Sequence, residues 1–330
     1  PNQREAFISN LPRFIAIVAV SIVFLLLGWR WVRALSERFV RQSSTARGWL
    51  TAFVLSVVQL GVATLGLFGL AIAVYYSELI GLRIDPLLGA VIEGGFFIIV
   101  SVWLSAFAFA PADRSFHSFS LTEAQNTKGR YIVIGLGTVF GLSFVLDEFS
   151  RYDSWSSSTN AVVYFPLVIS GGYLLWQLGR LLRLHSAAVV AAASADEVPR
   201  YVDRMYGLLG RVIILAGLGG ALITAVGYFE AGKTIVFQSI ETLVLIALLI
   251  LAQRVVAELW VVVRRGADDA RDGLLPTLSG FVLLLVALPQ FFRIWGTSDA
   301  RISEFWSSAR EGVTVGDTKI TAGAFLTFAI

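Results

Sequence analysis

The chain has 330 residues, 56% of them hydrophobic and only 15% charged, with 24 Phe, 9 Trp, one Met and no Cys. A mean hydropathy of +0.75 and recurring apolar runs of about 20 residues, enough to cross a bilayer core, exclude a soluble enzyme, a disordered tail or a nucleic-acid-binding module as the main body. Without cysteine there is no disulfide framework, thiolate metal site or thiol nucleophile, and the net charge of +3 acquires meaning only from where the charges fall.

Residues 1–13 form a short segment ahead of the first apolar run. That run, Phe14–Leu35, is too long for a signal peptide and is followed by arginines instead of a small-residue cleavage site, so it is expected to span. Further spans are expected at Trp49–Tyr76, Leu87–Phe109, Tyr131–Leu146, Ala161–Leu178, Val212–Phe229, Ile235–Ala252 and Leu274–Trp295. The seventh can continue past Arg254 to Val263. The expected fold class is therefore all-α: a polytopic membrane protein whose eight spans, residues 14–295, form four hairpins joined by short links such as Ser77–Pro86 and Glu230–Thr234.

Orientation follows from the basic residues. One set of loops and helix ends carries 17 of the 26 Lys and Arg and 10 of the 23 acidic residues, a balance of +7; the other set carries nine and 13, a balance of −4. The basic set is expected to be cytoplasmic and the N-terminus external. At the basic ends, Trp29-Arg30-Trp31-Val32-Arg33 and Trp176-Gln177-Leu178-Gly179-Arg180 put indoles and guanidinium groups at headgroup level. Trp29, Arg30, Arg33, Arg180, Arg183, Arg254, Arg264 and Arg265 are the candidate contacts to anionic lipid headgroups; membrane lipid is the expected partner, and nucleic acid is not.

After the eighth span, Ile302, Phe305, Trp306, Ala309 and Val313 recur at helical spacing opposite Arg301, Glu304 and Glu311, an amphipathic helix too polar to span. A turn at Gly312–Asp317 follows, Gly312 and Gly316 being the positions that tolerate positive φ. Residues 296–321 thus make an interfacial helix and glycine turn, with Phe305, Trp306, Gly312 and Gly316 as lever and hinge, and residues 322–330 begin a ninth apolar run. The start at Pro1 and the run Ala324–Ile330 are expected to belong to a longer chain.

Chemistry-bearing constellations are sparse. Glu93 and Glu241 are the carboxylates within spans, each about two turns from an interface where water reaches it, while Asp147 and Glu148 end the fourth span. His117 and His185 fall in or beside loops, read as surface residues, and have no ligand spacing around them. Gly135-Leu136-Gly137-Thr138 with Gly141 lies inside an apolar run, where close helix packing explains it better than nucleotide binding; Gly66 and Gly69, Gly171 and Gly172, and Gly217, Gly219 and Gly220 carry the same packing message. Pro166 and Pro289 are candidate kinks. No catalytic set, cofactor or metal is expected, and the chain is not expected to be an enzyme.

From Leu275-Pro276-Thr277 through Phe291-Phe292-Arg293-Ile294-Trp295 to Gly312-Val313-Thr314-Val315-Gly316-Asp317-Thr318-Lys319-Ile320-Thr321, the chain resembles the large, many-span members of the mechanosensitive channel of small conductance (MscS) superfamily, and its eight preceding spans resemble their potassium-dependent, eleven-helix subgroup. The resemblance implies a bacterial inner-membrane homo-oligomer, typically a heptamer, opened by membrane tension, of which these residues are the peripheral sensor helices; the pore residues would lie after Ile330. A secondary transporter and a membrane scaffold or lipid-binding assembly protein are the alternatives.

Overall fold

In the computed structural model the described residues are 2–25, 46–76, 85–109, 121–192, 201–264, 274–311, 313–315 and 318–320. They form nine helices: α1 Asn2–Val23, α2 Ala46–Tyr76, α3 Asp85–Ala108, α4 Glu123–Tyr152, α5 Ser157–Ala192, α6 Tyr201–Val226, α7 Phe229–Val263, α8 Leu274–Ile294 and α9 Asp299–Glu311. A three-residue antiparallel ladder follows, β1 Val313–Val315 on β2 Thr318–Ile320, with Thr314 opposite Lys319. Six helices, α2 to α7, are long and apolar enough to cross a membrane; α1 and α8 carry the shorter apolar stretches Leu11–Val23 and Leu278–Ile294.

Several helices outrun the apolar stretches that announce them, because their ends are fixed by polar groups. At α4 a capping box closes the first turn: Thr122 accepts from the Gln125 amide while the Gln125 side chain accepts from the Thr122 amide at 2.9 Å. The helix so begins eight residues before Tyr131. Likewise α7 begins at Phe229, so Glu230–Thr234 is helical and not the expected link. The link between α6 and α7 is instead Gly227 and Tyr228: Gly227 has φ +110°, and the Tyr228 and Gly227 amides donate back to Ile223 and Thr224, closing the helix end in a Schellman motif. The same bonding pattern ends α4 at Ser154, a non-glycine at φ 47°, and ends α8 at Gly296, at φ +82°. Residues 2–13, expected as a separate segment, lie in the same unbroken helix as the first apolar run.

Sequential helices pack as neighbours, and α7 lies at the centre, touching α2, α3, α4, α5, α6 and α8. One core cluster joins α3 to α7 around Phe140, Tyr164, Val168, Leu175 and Val236. A second, of Trp49, Trp103, Leu104 and Leu251, joins α2, α3 and α7. There Trp49 stacks on Phe53 at 5.7 Å, and Trp103 donates its indole hydrogen to Ser56 at 3.2 Å.

Glycines set the closest approaches. Gly94 of α3 faces Gly141 of α4; Gly172 and Gly179 of α5 face Gly217 and Gly210 of α6; Gly220 of α6 faces Gly232 of α7. A Cβ built on Gly217 would lie 2.6 Å from the Gly172 carbonyl oxygen, and one on Gly172 would lie 2.6 Å from that of Gly217. Helices in lipid gain nothing from hiding apolar surface from water, so this backbone contact, with its van der Waals attraction, is what holds the pairs. The packing role read from Gly137, Gly141, Gly172, Gly217 and Gly220 is met; Gly219 is the exception, with nothing within 4 Å of its added Cβ.

The two neighbouring glycines make opposite predictions. Gly217→Ala is expected to lower stability by about 1–3 kcal/mol, because the methyl group meets backbone that cannot yield. Gly219→Ala should be neutral or add up to about 1 kcal/mol through helix propensity. Thermal unfolding of the two variants in the same detergent or nanodisc tests both signs.

Candidate functional site

Polar side chains gather at two levels of α7, around Lys233 and around Gln253 and Arg254. Lys233 and Arg254 are 21 positions apart, about 32 Å of helix at 1.5 Å per residue, close to the thickness of a hydrocarbon core.

At the first level Asp147, near the end of α4, accepts two hydrogen bonds on one carboxylate oxygen. One comes from Lys233 Nζ at 2.9 Å and the other from the Tyr164 hydroxyl of α5. The same hydroxyl lies 3.3 Å from the Ser143 carbonyl, and the Lys233 ammonium sits 3.8 Å above the Tyr164 ring. Tyr164 is fully buried, whereas the Lys233 and Asp147 side chains are 24% and 48% exposed. The triad therefore ties three helices together: the phenol ring supplies the apolar wall and the negative π-face, and the ion pair keeps its outer side wet. Its acidic and basic members neutralise one another, and the three side chains link α4, α5 and α7. Asp147 is more than a helix terminus.

At the second level Gln253 joins α7 to α8. Its amide nitrogen donates to the Pro276 carbonyl at 2.5 Å, and its oxygen accepts from Ser279 at 3.2 Å. Next to it, Arg254 lies over the Trp49 ring of α2 at 4.9 Å. Arg180 over Trp176 at 5.1 Å and Arg264 over Trp260 at 5.5 Å repeat the pairing within single helices, each at i, i+4. Thus three of the candidate headgroup arginines rest on indole faces. Arg180, Arg183 and Arg264 are exposed and Arg254 is half-buried; the Arg183 stem lies beside Gly210 of α6.

Trp29, Arg30, Arg33, Arg265, Gly312 and Gly316 lie outside the described residues, as does His117. Phe305 and Trp306 fall within α9, but the described part of the structure does not extend to their side chains. Pro166 and Pro289 each sit inside a helix that continues through them, α5 and α8. Glu93 is exposed and Glu241 half-buried.

One residue departs from the expectation of a wet surface. His185 is 3% exposed and packs edge-on against Tyr206 at 5.4 Å, because α6 crosses α5 where a loop was expected to leave it in water. Glu258, one turn after Arg254, is 4% exposed. Among the described residues no group of three His, Asp or Glu side chains converges as a metal site would require.

Between α3, α4, α5, α6 and α7 lies an apolar cavity of about 120 Å³, extending from Phe97 and Ile240 to Phe109 and Tyr206. A second cavity of about 90 Å³ shares Leu104, Ala108, Tyr206, Ala247 and Ile250 with it and ends at Arg254. The two form one crevice. Compared with family models, curated proteins and solved structures, the chain matches none of them.

The triad is expected to show a coupling of about 0.5–2 kcal/mol between Asp147 and Lys233 in an Asp147→Asn, Lys233→Met double-mutant cycle. Tyr164→Phe should cost about 1 kcal/mol for the lost hydroxyl bond. Chemical or thermal unfolding of the reconstituted variants measures both, and additive single-mutant effects would remove the linking role assigned to the triad.

Proposed function

We propose that this chain is the peripheral, tension-sensing membrane region of an MscS-type mechanosensitive, weakly selective ion channel. In this proposal α1 and α8 complete an eight-span arrangement in a bacterial inner membrane, with the basic helix ends cytoplasmic and self-assembly into a ring. The single observation that carries the proposal is the exposure of the spans. In the six spanning helices 28–39% of the residues in the most apolar stretch are buried, and large apolar side chains such as Val54, Leu65, Val162, Leu215 and Leu222 stand exposed on them. Tension can bias a gate only through a difference in lipid contact, area or thickness between two states, and a large lipid-facing surface is where such a difference accumulates.

The way out of the bundle supports the same idea. Trp295, just after α8, donates to Thr242 of α7 at 3.2 Å, and Arg293 of α8 pairs with Asp299 of α9 at 2.7 Å across the Gly296 turn. Movement of α7 and α8 therefore reaches α9 through short, directional contacts, and α9 leads into the ladder that precedes residues 321–330. Phe305 and Trp306 act as the interfacial part of this lever, with Gly312 and Gly316 as its hinge. A secondary transporter would need polar groups converging near the midplane of broken helices; here the clusters lie at two levels about 32 Å apart along an unbroken α7.

The full-length protein, expressed in membranes lacking other mechanosensitive channels, is expected to pass current during suction ramps. Trp295→Ala is expected to shift the threshold while leaving unitary conductance unchanged, since it loosens the link to α9 without touching a pore. A folded, membrane-inserted protein that stays silent up to patch rupture would overturn the channel assignment.

A further inference from the structure

Among the described residues, the only element that is not a helix is the ladder of β1 on β2. Its register sets Val313 opposite Ile320, Thr314 opposite Lys319 and Val315 opposite Thr318. Only two residues separate Val315 from Thr318, and two adjacent residues cannot hydrogen-bond each other across a ladder. Val315 and Thr318 are therefore a directly hydrogen-bonded pair. Bonded and non-bonded pairs alternate along an antiparallel ladder, so Val313 with Ile320 is the second bonded pair and Thr314 with Lys319 the non-bonded one between them. It follows that the backbone N–H and C=O of Thr314 point away from β2, and those of Lys319 point away from β1.

Each edge of the hairpin thus presents one donor and one acceptor, on Thr314 at one edge and on Lys319 at the other. Among the described residues the sheet has no third strand. The segments Val313–Val315 and Thr318–Ile320 are rich in β-branched residues, which favour strands, but two strands of three residues are marginal without a neighbour. An open edge is a template for another strand, and here the two edges fit each other. A copy of this chain that sets its Lys319 opposite Thr314 exchanges two hydrogen bonds with it. Every copy in such a series has both edges filled, whereas β1 paired with β1 about a two-fold axis leaves each β2 edge open. Contacts between unlike surfaces of identical subunits close into rings.

We infer that β1 of one copy pairs antiparallel with β2 of the next, Thr314 opposite the next copy's Lys319, so that the hairpins form one continuous collar. The inference rests on the ring assembly proposed above and supplies a surface that holds it together. Because α9 ends at Glu311, two residues before β1, the collar links the α9 helices of successive copies through backbone hydrogen bonds. Displacement of one lever is then shared around the ring.

The chain has no cysteine, so thiols can be placed singly. Full-length protein is co-expressed as two differently tagged chains, one with Val315→Cys and the other with Thr318→Cys, and oxidised in the membrane. Between copies these positions form a non-bonded pair, where side chains come closest. A disulfide joining the two tags is expected, and none from either chain alone. Val315→Cys with Lys319→Cys puts the thiols on opposite faces and is expected to crosslink about tenfold less. Thr314→Pro, added to the Val315→Cys chain, removes an outward N–H that the hairpin itself does not use. It is expected to slow crosslinking about fivefold, the loss of one hydrogen bond.

Hydrogen exchange on the unaltered protein needs no variant to fold: the Thr314 and Lys319 amides are expected to be as protected as those of Val313 and Val315. Native mass spectrometry reads the assembly separately. A monomer would overturn the ring and the collar together. An oligomer whose two tags never crosslink, or whose Thr314 and Lys319 amides exchange freely, would overturn the collar and leave the ring standing. Disulfide dimers from Thr314→Cys alone would show β1 paired with β1 and overturn the head-to-tail contact.

Discussion

Close backbone contact at paired glycines is the constraint on which the rest of the bundle depends. In water, helices associate because association hides apolar surface, but in a bilayer lipid tails solvate leucine and phenylalanine as well as another helix does. What remains is van der Waals attraction, steep in distance, together with a few polar contacts. Gly172 with Gly217 and Gly179 with Gly210 bring α5 and α6 together along the length of one heptad, and Gly220 with Gly232 attaches α6 to α7 directly after the two-residue link at Gly227 and Tyr228. Where glycines stop meeting, the helices separate. The crevice lined by Leu104, Ala247 and Ile250 lies between α3 and α7, beside the tightly joined α5 and α6.

Polar contacts then fix how the close-packed pairs sit around α7. The Asp147, Tyr164 and Lys233 triad sets one level, and the Gln253 contacts to Pro276 and Ser279 set another. Neither cluster places a bare charge in hydrocarbon. Lys233 is partly wet and shares its counter-ion with a phenol, while Arg254 rests on Trp49 near an opening of the crevice. The result is a bundle stiff within hairpins and filled with apolar, non-directional contacts between some of them. Such an object can change its lipid-facing shape without breaking a strong bond, which is the mechanical property the proposed function needs.

Membrane character, the helical class and most helix positions were legible in the sequence because they depend on local composition: apolar runs of bilayer length and glycine pairs at helical spacing. The apolar run of α7 starts at Ile235, six residues after the helix does, because Glu230 and Lys233 look like loop residues, yet Lys233 has its partner in Asp147, 86 positions away. No local pattern announces a contact of that range. His185 looks like a surface residue for the same reason, its cover being Tyr206 on another helix. By contrast, the sequence put Trp176 and Arg180 together at one helix end, where they pair four residues apart, whereas Arg254 and Trp49 meet only in the fold. The apolar spacing of Phe305 and Trp306 made a helix legible there, and α9, Asp299–Glu311, spans both positions.

The central claim is that the bundle changes shape where it is loosely packed and holds where glycines meet. The chain has no cysteine, so spin labels can be placed without first removing native thiols. One pair at Val102 and Ile250 reports across the crevice, and a second at Tyr173 and Leu218 reports across the α5–α6 contact. Pulsed electron paramagnetic resonance distances would be compared between nanodiscs of ordinary thickness and nanodiscs of short-chain lipid, which impose the thinning that tension causes. The account expects the crevice distance to shift while the α5–α6 distance stays fixed. Two unchanged distances, or a shift confined to the glycine-paired helices, would contradict it.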